Sequence, residues 1–60
     1  MTVKECRIGR GLSIQEMALQ LGVHKNKYKY YEKFPNKVPV HIAKLFSIIV
    51  HVPLDEIFFE

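Results

Sequence analysis

One glycine, Gly22, does most to limit how this chain can fold, because it stands between two segments that each carry a helical pattern. The run from Ser13 to Glu32 reads SIQEMALQLGVHKNKYKYYE. In its first half Ile14, Met17, Ala18 and Leu21 follow at i, i+3, i+4 and i+7, which places them along one apolar helix face. Ser13 with Glu16 three places on has the form of a capping box, in which each side chain satisfies a backbone N–H left over at the helix start. Gly22 can take the positive-φ conformation that stops a helix and reverses the chain, and Val23 after it is apolar enough to fill the corner. The second half then begins at His24 and is rich in lysine. Two short helices around a tight turn are therefore expected, from about residue 13 to 20 and from about 24 to 33.

With 60 residues there is room for one domain, 1–60, and a chain of this size buries only about 60% of its unfolded surface. A single cysteine, Cys6, allows neither an internal disulfide nor a Cys-x-x-Cys metal clip, so a reducing compartment is the expected setting. The amino terminus lacks a signal-peptide pattern, and the longest apolar run, Leu45 to Val50 with a serine inside it, is far short of the ~20 residues of a membrane span. A soluble, cytoplasmic protein without membrane contact is expected. The net charge of +3 is modest, but its distribution is uneven. Lys25, Lys27, Lys29, Lys33 and Lys37 crowd into the middle of the chain, while Glu5, Glu16, Glu32, Asp55, Glu56 and Glu60 are dispersed.

Outside the central pair, Val3 to Arg10 reads as a short first helix with Val3 and Cys6 inward. Gly9 near its end costs about 1 kcal/mol relative to alanine, and fraying is expected there. Leu12, just before the Ser13 cap, suits a hydrophobic staple. Tyr28 and Tyr31 face the core from the third helix together with Val23, leaving Tyr30 outward. Phe34 to Val38 reads as a loop, since Pro35 and Pro39 hold the residues before them extended and Asn36 favours a turn. A fourth helix is expected from Pro39, at its first position, to about Val50, with Ile42, Leu45, Phe46, Ile49 and Val50 apolar at steps of three and four. Pro53 then opens a fifth, PLDEIFF, with Asp55 and Glu56 at its amino end where negative charge is favoured. The reading is all-α, with five short helices.

In order and spacing, Val3-x-x-Cys6-Arg7, Gly11-Leu12-Ser13, Glu16-Met17-Ala18, Leu21-Gly22-Val23, Tyr28-x-x-Tyr31-Glu32, Val38-Pro39-Val40 and Val52-Pro53-Leu54-Asp55-Glu56-Ile57-Phe58-Phe59 resemble the phage-repressor and Cro-like helix-turn-helix family (XRE type). The resemblance runs from Val3 to Phe59. It implies a compact lambda-repressor-like domain of five helices, in which the third helix enters the major groove of duplex DNA and the second crosses the backbone. Carried over position by position, it makes Lys25, Asn26, Lys27 and Lys29 the base-reading residues, and Gln15, His24, Tyr30, Lys33 and Lys37 the contacts to the DNA backbone. Lysine donates to guanine O6 and N7, and asparagine matches the N6 and N7 edge of adenine. Arg7 and Glu32 fall where the family has an ion pair tying the first helix to the end of the reading helix, a structural role. Two positions depart from the pattern: Ile14 stands where a phosphate-contacting glutamine is usual, with Gln15 beside it, and His24 stands where serine or threonine commonly caps the reading helix.

The function this implies is a sequence-specific DNA-binding transcriptional regulator of repressor type, bacterial or prophage in origin. Dimerisation would have to use the domain's own surface, for which Val52 to Phe59 is the most apolar segment. The alternative is a protein-binding adaptor or antirepressor with the same fold, whose lysines meet an acidic partner; a basic domain with only non-specific DNA affinity is a third reading. No cofactor is expected. His24, His41, His51 and Cys6 are scattered at no metal-ligand spacing, and neither a nucleophile paired with a base nor a chain large enough to enclose a substrate pocket points to an enzyme.

Overall fold

The computed structural model, which describes residues 1–59, is all-helical. Its four α-helices are α1 (Val3–Gly9), α2 (Ile14–Leu21), α3 (Lys25–Lys33) and α4 (Val40–Val50), and two single 3-10 turns, Pro35–Lys37 and Leu54–Glu56, complete it. No strand forms among the described residues, only an isolated bridge between Thr2 and Phe58.

Side chains close the starts of the first three helices. Ser13 and Glu16 form the expected capping box on α2, with Ser13 Oγ accepting the Glu16 N–H at 3.0 Å and Glu16 Oε1 accepting the Ser13 N–H at 2.9 Å. Thr2 and Glu5 form a second one on α1, at 3.1 and 2.8 Å. That box, with Val3, Cys6 and Arg7 buried, holds α1 more firmly than Gly9 alone suggested. Gly9 is also the last helical residue, so its missing side chain leaves no weak point in the interior.

The carboxyl ends of α1, α2 and α4 share one device, a left-handed residue followed by an apolar one whose N–H turns back to a carbonyl five positions earlier. Gly22 (φ 75°) is such a residue on α2, where the Val23 N–H reaches Ala18 O at 3.0 Å and the Gly22 N–H reaches Leu19 O at 3.2 Å. Gly11 (φ 70°) does the same on α1, with Leu12 N–H on Arg7 O at 3.3 Å. On α4 the position belongs to His51 at φ 58°, with Val52 N–H on Ser47 O at 3.3 Å and Ser47 Oγ donating to Val52 O at 2.6 Å.

One core draws on every helix: Val3 and Cys6 from α1, Met17, Ala18 and Leu21 from α2, Tyr28 and Tyr31 from α3, and Ile42, Phe46 and Val50 from α4. Truncating any of the large members to alanine would cost roughly 2–5 kcal/mol, comparable with all the stability a single core of this size supplies. Leu45 does not join them. It is 37% exposed, because the inward stripe of α4 is set by Ile42, Ala43, Phe46 and Val50, and Leu45 lies about a third of a turn from the centre of that stripe.

The carboxyl-terminal segment corrects the five-helix expectation. Pro53 opens a single 3-10 turn, Leu54–Glu56, and Ile57 then extends rather than continuing a helix. The extended conformation lets Phe58 N–H donate to Met1 O at 2.7 Å while the Met1 ammonium donates to Glu56 O at 2.8 Å. Ile57 is buried at 5% exposure, and Phe59 packs edge-on against Phe46 with ring centroids 6.5 Å apart. Pro39 likewise acts as the cap of α4 and not as its first helical residue, and the expected loop after Phe34 is a 3-10 turn closed by Lys37 N–H on Phe34 O at 2.9 Å.

Candidate functional site

The site grows from the junction of α2 and α3, where Gly22, Val23 and His24 turn the chain from one helix into the next. Both helices are amphipathic and pack against each other through their apolar faces, so the polar face of α3 is turned outward. The geometry of the turn is fixed at both ends. Gly22 closes α2, and His24 opens α3 by accepting the Asn26 N–H on its Nδ1 at 3.1 Å. The histidine therefore serves as the cap in place of serine or threonine, which requires an unprotonated Nδ1.

Tyr28 and Tyr31 are buried, and this orients the other residues of α3. Lys25, Asn26, Lys27, Lys29, Tyr30 and Lys33 all lie on its exposed surface. Lys37 is exposed in the 3-10 turn just beyond. Gln15, in the first turn of α2, lines a shallow groove of about 250 Å³ with Ala18, Leu19, Val23, His24 and Lys25. The sequence-selected residues are thus brought onto one continuous stretch around α3, with Gln15 and Lys37 at its two ends.

Glu32 is the one acid on α3, and it is withdrawn from that surface. Arg7 Nε donates to Glu32 Oε2 at 2.6 Å, with the two side chains only 10% and 11% exposed. The same guanidinium donates through Nη1 to Leu12 O at 2.8 Å, so one arginine ties α1, the α1–α2 link and α3 together. The Tyr28 hydroxyl is buried beside this pair without completing a hydrogen bond in this geometry, and burial raises its pKa far above the ordinary phenol value. What α3 offers to solvent is therefore four lysines, one amide and one phenol, with no carboxylate among them.

Two apolar features of this surface were not anticipated. Leu19 is 80% exposed at the edge of the groove. Phe34, read as a loop residue, is 42% exposed and stands 5.2 Å from Tyr30 between ring centroids. The spacing of four residues between Tyr30 and Phe34 was the signal that could have found the pair. Ile14 packs against the core, which leaves Gln15 as the outward amide of the α2 start.

Among the described residues no three of His, Cys, Asp and Glu gather as a metal site would require, and no helix is long and apolar enough to cross a membrane. Cys6 is buried, and burial pushes its thiol pKa up, away from a reactive thiolate. Comparison with family models, with curated proteins and with solved structures finds no match to this chain.

Proposed function

We propose that this protein is a sequence-specific duplex-DNA-binding transcriptional regulator of the phage-repressor and Cro helix-turn-helix kind, with α3 as the reading helix laid in the major groove. The observation that carries the reading is the removal of Glu32 into its pair with Arg7, which leaves on α3 only groups that attract phosphates or donate to base edges. Lys25, Asn26, Lys27 and Lys29 read base edges. Gln15, His24, Tyr30, Lys33 and Lys37 hold the sugar-phosphate backbone and set the register. The Arg7 bridge supports this by fixing α3 to the rest of the domain, since a helix that reads base edges needs a defined tilt.

Dimerisation belongs to the same proposal, because regulators of this kind bind half-sites about one helical turn apart. The surface available differs from the sequence expectation, since Ile57 is taken into the core and Phe59 is half-buried on Phe46. Phe58 and the outer face of α4, with Val40, Leu45 and Ile48, offer the exposed apolar area instead.

A protein-binding adaptor is the second reading, and Leu19 favours it. A leucine so exposed beside the turn between α2 and α3 is a contact suited to an apolar partner surface and of no use to a phosphate. Selection from random duplex DNA separates the two. Enrichment of a defined motif of a few base pairs supports the regulator; recovery of unenriched sequence, with no affinity beyond that of unselected duplex, refutes it.

A further inference from the structure

The edge of α3 away from the α2 junction carries a second kind of surface. Tyr30 and Phe34 lie one turn apart with ring centroids 5.2 Å from each other and planes inclined at 46°, and both rings are about 40% exposed (Tyr30 40%, Phe34 42%). Cations accompany them. Lys27 Nζ lies 5.7 Å from the Tyr30 centroid, and Lys33 Nζ lies 5.6 Å from the Phe34 centroid. Lys37 is exposed three residues beyond Phe34, in the 3-10 turn for which Phe34 is the cap.

Neither ring is needed where it is for the core. Tyr28 and Tyr31 already supply the aromatic packing of α3, and Phe34 stands outside the buried cluster although its backbone N–H closes the helix on Tyr30 O at 2.8 Å. An exposed aromatic pair in a polar helix leaves apolar area in water unless something covers it. Duplex DNA is a poor cover, since its bases are stacked on one another and show only their edges. An unpaired base has a free π-face, and its strand brings one phosphate per base to any lysine nearby.

We propose that Tyr30 and Phe34, flanked by Lys27, Lys33 and Lys37, form a stacking platform for single-stranded nucleic acid. The rings take the faces of unpaired bases and the ammonium groups take the adjoining phosphates, a combination that tolerates any base sequence because every base has a face to offer. Charge complementarity selects this occupant over an apolar peptide, since two lysines stand against the two rings, a third is exposed in the turn that Phe34 caps, and no carboxylate is exposed on α3. The platform stands without the duplex reading, though Tyr30, Lys27, Lys33 and Lys37 are common to both surfaces and only Phe34 is not, so the two ligands exclude each other.

The test uses the intact chain and two labelled strands of equal length and charge, a twelve-residue oligo(dT) and an abasic strand with the same phosphates. Fluorescence anisotropy at fixed salt gives both affinities. The platform predicts that oligo(dT) binds about fivefold or more tightly than the abasic strand, as stacking of one base implies. It also predicts that Tyr30→Ser and Phe34→Ser each reduce that ratio, and that Phe34→Ser, which touches no residue of the duplex contact set, leaves affinity for the abasic strand unchanged; both side chains are exposed, and circular dichroism of each variant confirms that α3 is intact. Equal binding of the two strands by the wild-type protein, or an undiminished ratio in the folded variants, overturns the proposal. A random duplex titrated in parallel reports on the duplex reading separately, because it presents paired bases only.

Discussion

Arg7 and Glu32, 25 positions apart in the chain, meet at 2.6 Å through Nε and Oε2 with both side chains about nine-tenths buried, and the same guanidinium holds Leu12 O at 2.8 Å. The pair costs desolvation to form, so its value lies less in net stability than in the penalty incurred when one partner is missing. Arg7→Ala leaves a carboxylate, and Glu32→Ala a guanidinium, without its countercharge near the core. Each single variant is predicted to lose about 3 kcal/mol, enough to bring so small a domain close to unfolding. Thermal melts of both singles and the double variant check it: the double should cost clearly less than the two singles added together, and unchanged melting in the singles would contradict the account.

Glu5 and Glu16 give the fold an acid limit. Each is the acidic half of a capping box, and acceptance of a backbone N–H, from Thr2 and Ser13 respectively, holds its pKa below the ordinary value of 4.5. A folded-state pKa depressed in this way adds stability above the unfolded value and loses it as pH falls through the folded one. Stability should therefore decline as pH drops below about 4.5. The Glu5→Gln, Glu16→Gln double variant keeps side chains that can close both boxes, so its denaturation midpoint should vary less with pH over that range.

His51 is the third residue to occupy a left-handed helix end, after Gly11 and Gly22, and the only one of the three with a side chain. That conformation costs a non-glycine residue roughly 1–2 kcal/mol, partly offset by the greater freedom of glycine when unfolded. His51→Gly is predicted to raise stability by about 0.5–1 kcal/mol, measured by urea titration. A decrease would mean that the imidazole makes a contact worth more than the strain.

Self-association, if it uses the exposed apolar area, depends on Phe58 and Ile48 and not on the two neighbours of Phe58. Phe58 is 59% exposed, whereas Ile57 lies in the core and Phe59 packs on Phe46. Phe58→Glu and Ile48→Glu should shift sedimentation toward monomer with melting unchanged, while Phe59→Glu should lower the melting temperature. A wild-type protein that is monomeric at high concentration, both free and on DNA, would remove dimerisation from the account.

Salt should weaken DNA binding steeply, since the lysines of α3 and the turn after it are exposed and face no carboxylate. If ~4 to 6 phosphates are neutralised, log K falls against log salt with a slope near −4 to −5. A flat affinity between 50 and 200 mM salt, concentrations over which such a slope is readily resolved, would defeat the electrostatic part of the reading.

The central helices were legible because two independent signals coincide there: the i, i+3, i+4, i+7 spacing of Ile14, Met17, Ala18 and Leu21, and end signals at Ser13, Glu16 and Gly22. Thr2-x-x-Glu5 carries the same capping signature and went unread, although it was open to view. The last segment misled for a different reason. Asp55 and Glu56 after Pro53 suit a helix start, but tertiary bonds from Met1 to Glu56 and Phe58 draw the backbone out beyond one turn. Such a constraint joins the two ends of the chain and leaves no local trace. The exposure of Leu19 was open to view, since it falls on the far side of α2 from the Ile14, Met17, Ala18 and Leu21 stripe, whereas Phe34 lies just past the end of α3, where helical spacing suggests its pairing with Tyr30 but not its exposure.

Two residues of the basic surface, Asn26 and Lys37, separate base reading from simple charge attraction, because their chemistry differs while both lie exposed. The Asn26 side chain can match one adenine edge, whereas Lys37, in the turn after α3, carries only charge. The His24 cap takes the backbone N–H of Asn26, so Asn26→Ala leaves the helix start intact. The measurement is the affinity of wild type, Asn26→Ala and Lys37→Ala for the selected duplex and for its single-base variants at one salt concentration. The account predicts that Asn26→Ala loses about 1 to 3 kcal/mol on the selected site and relaxes preference at one base position, while Lys37→Ala weakens every duplex alike. Equal losses from both variants on all sequences would contradict it.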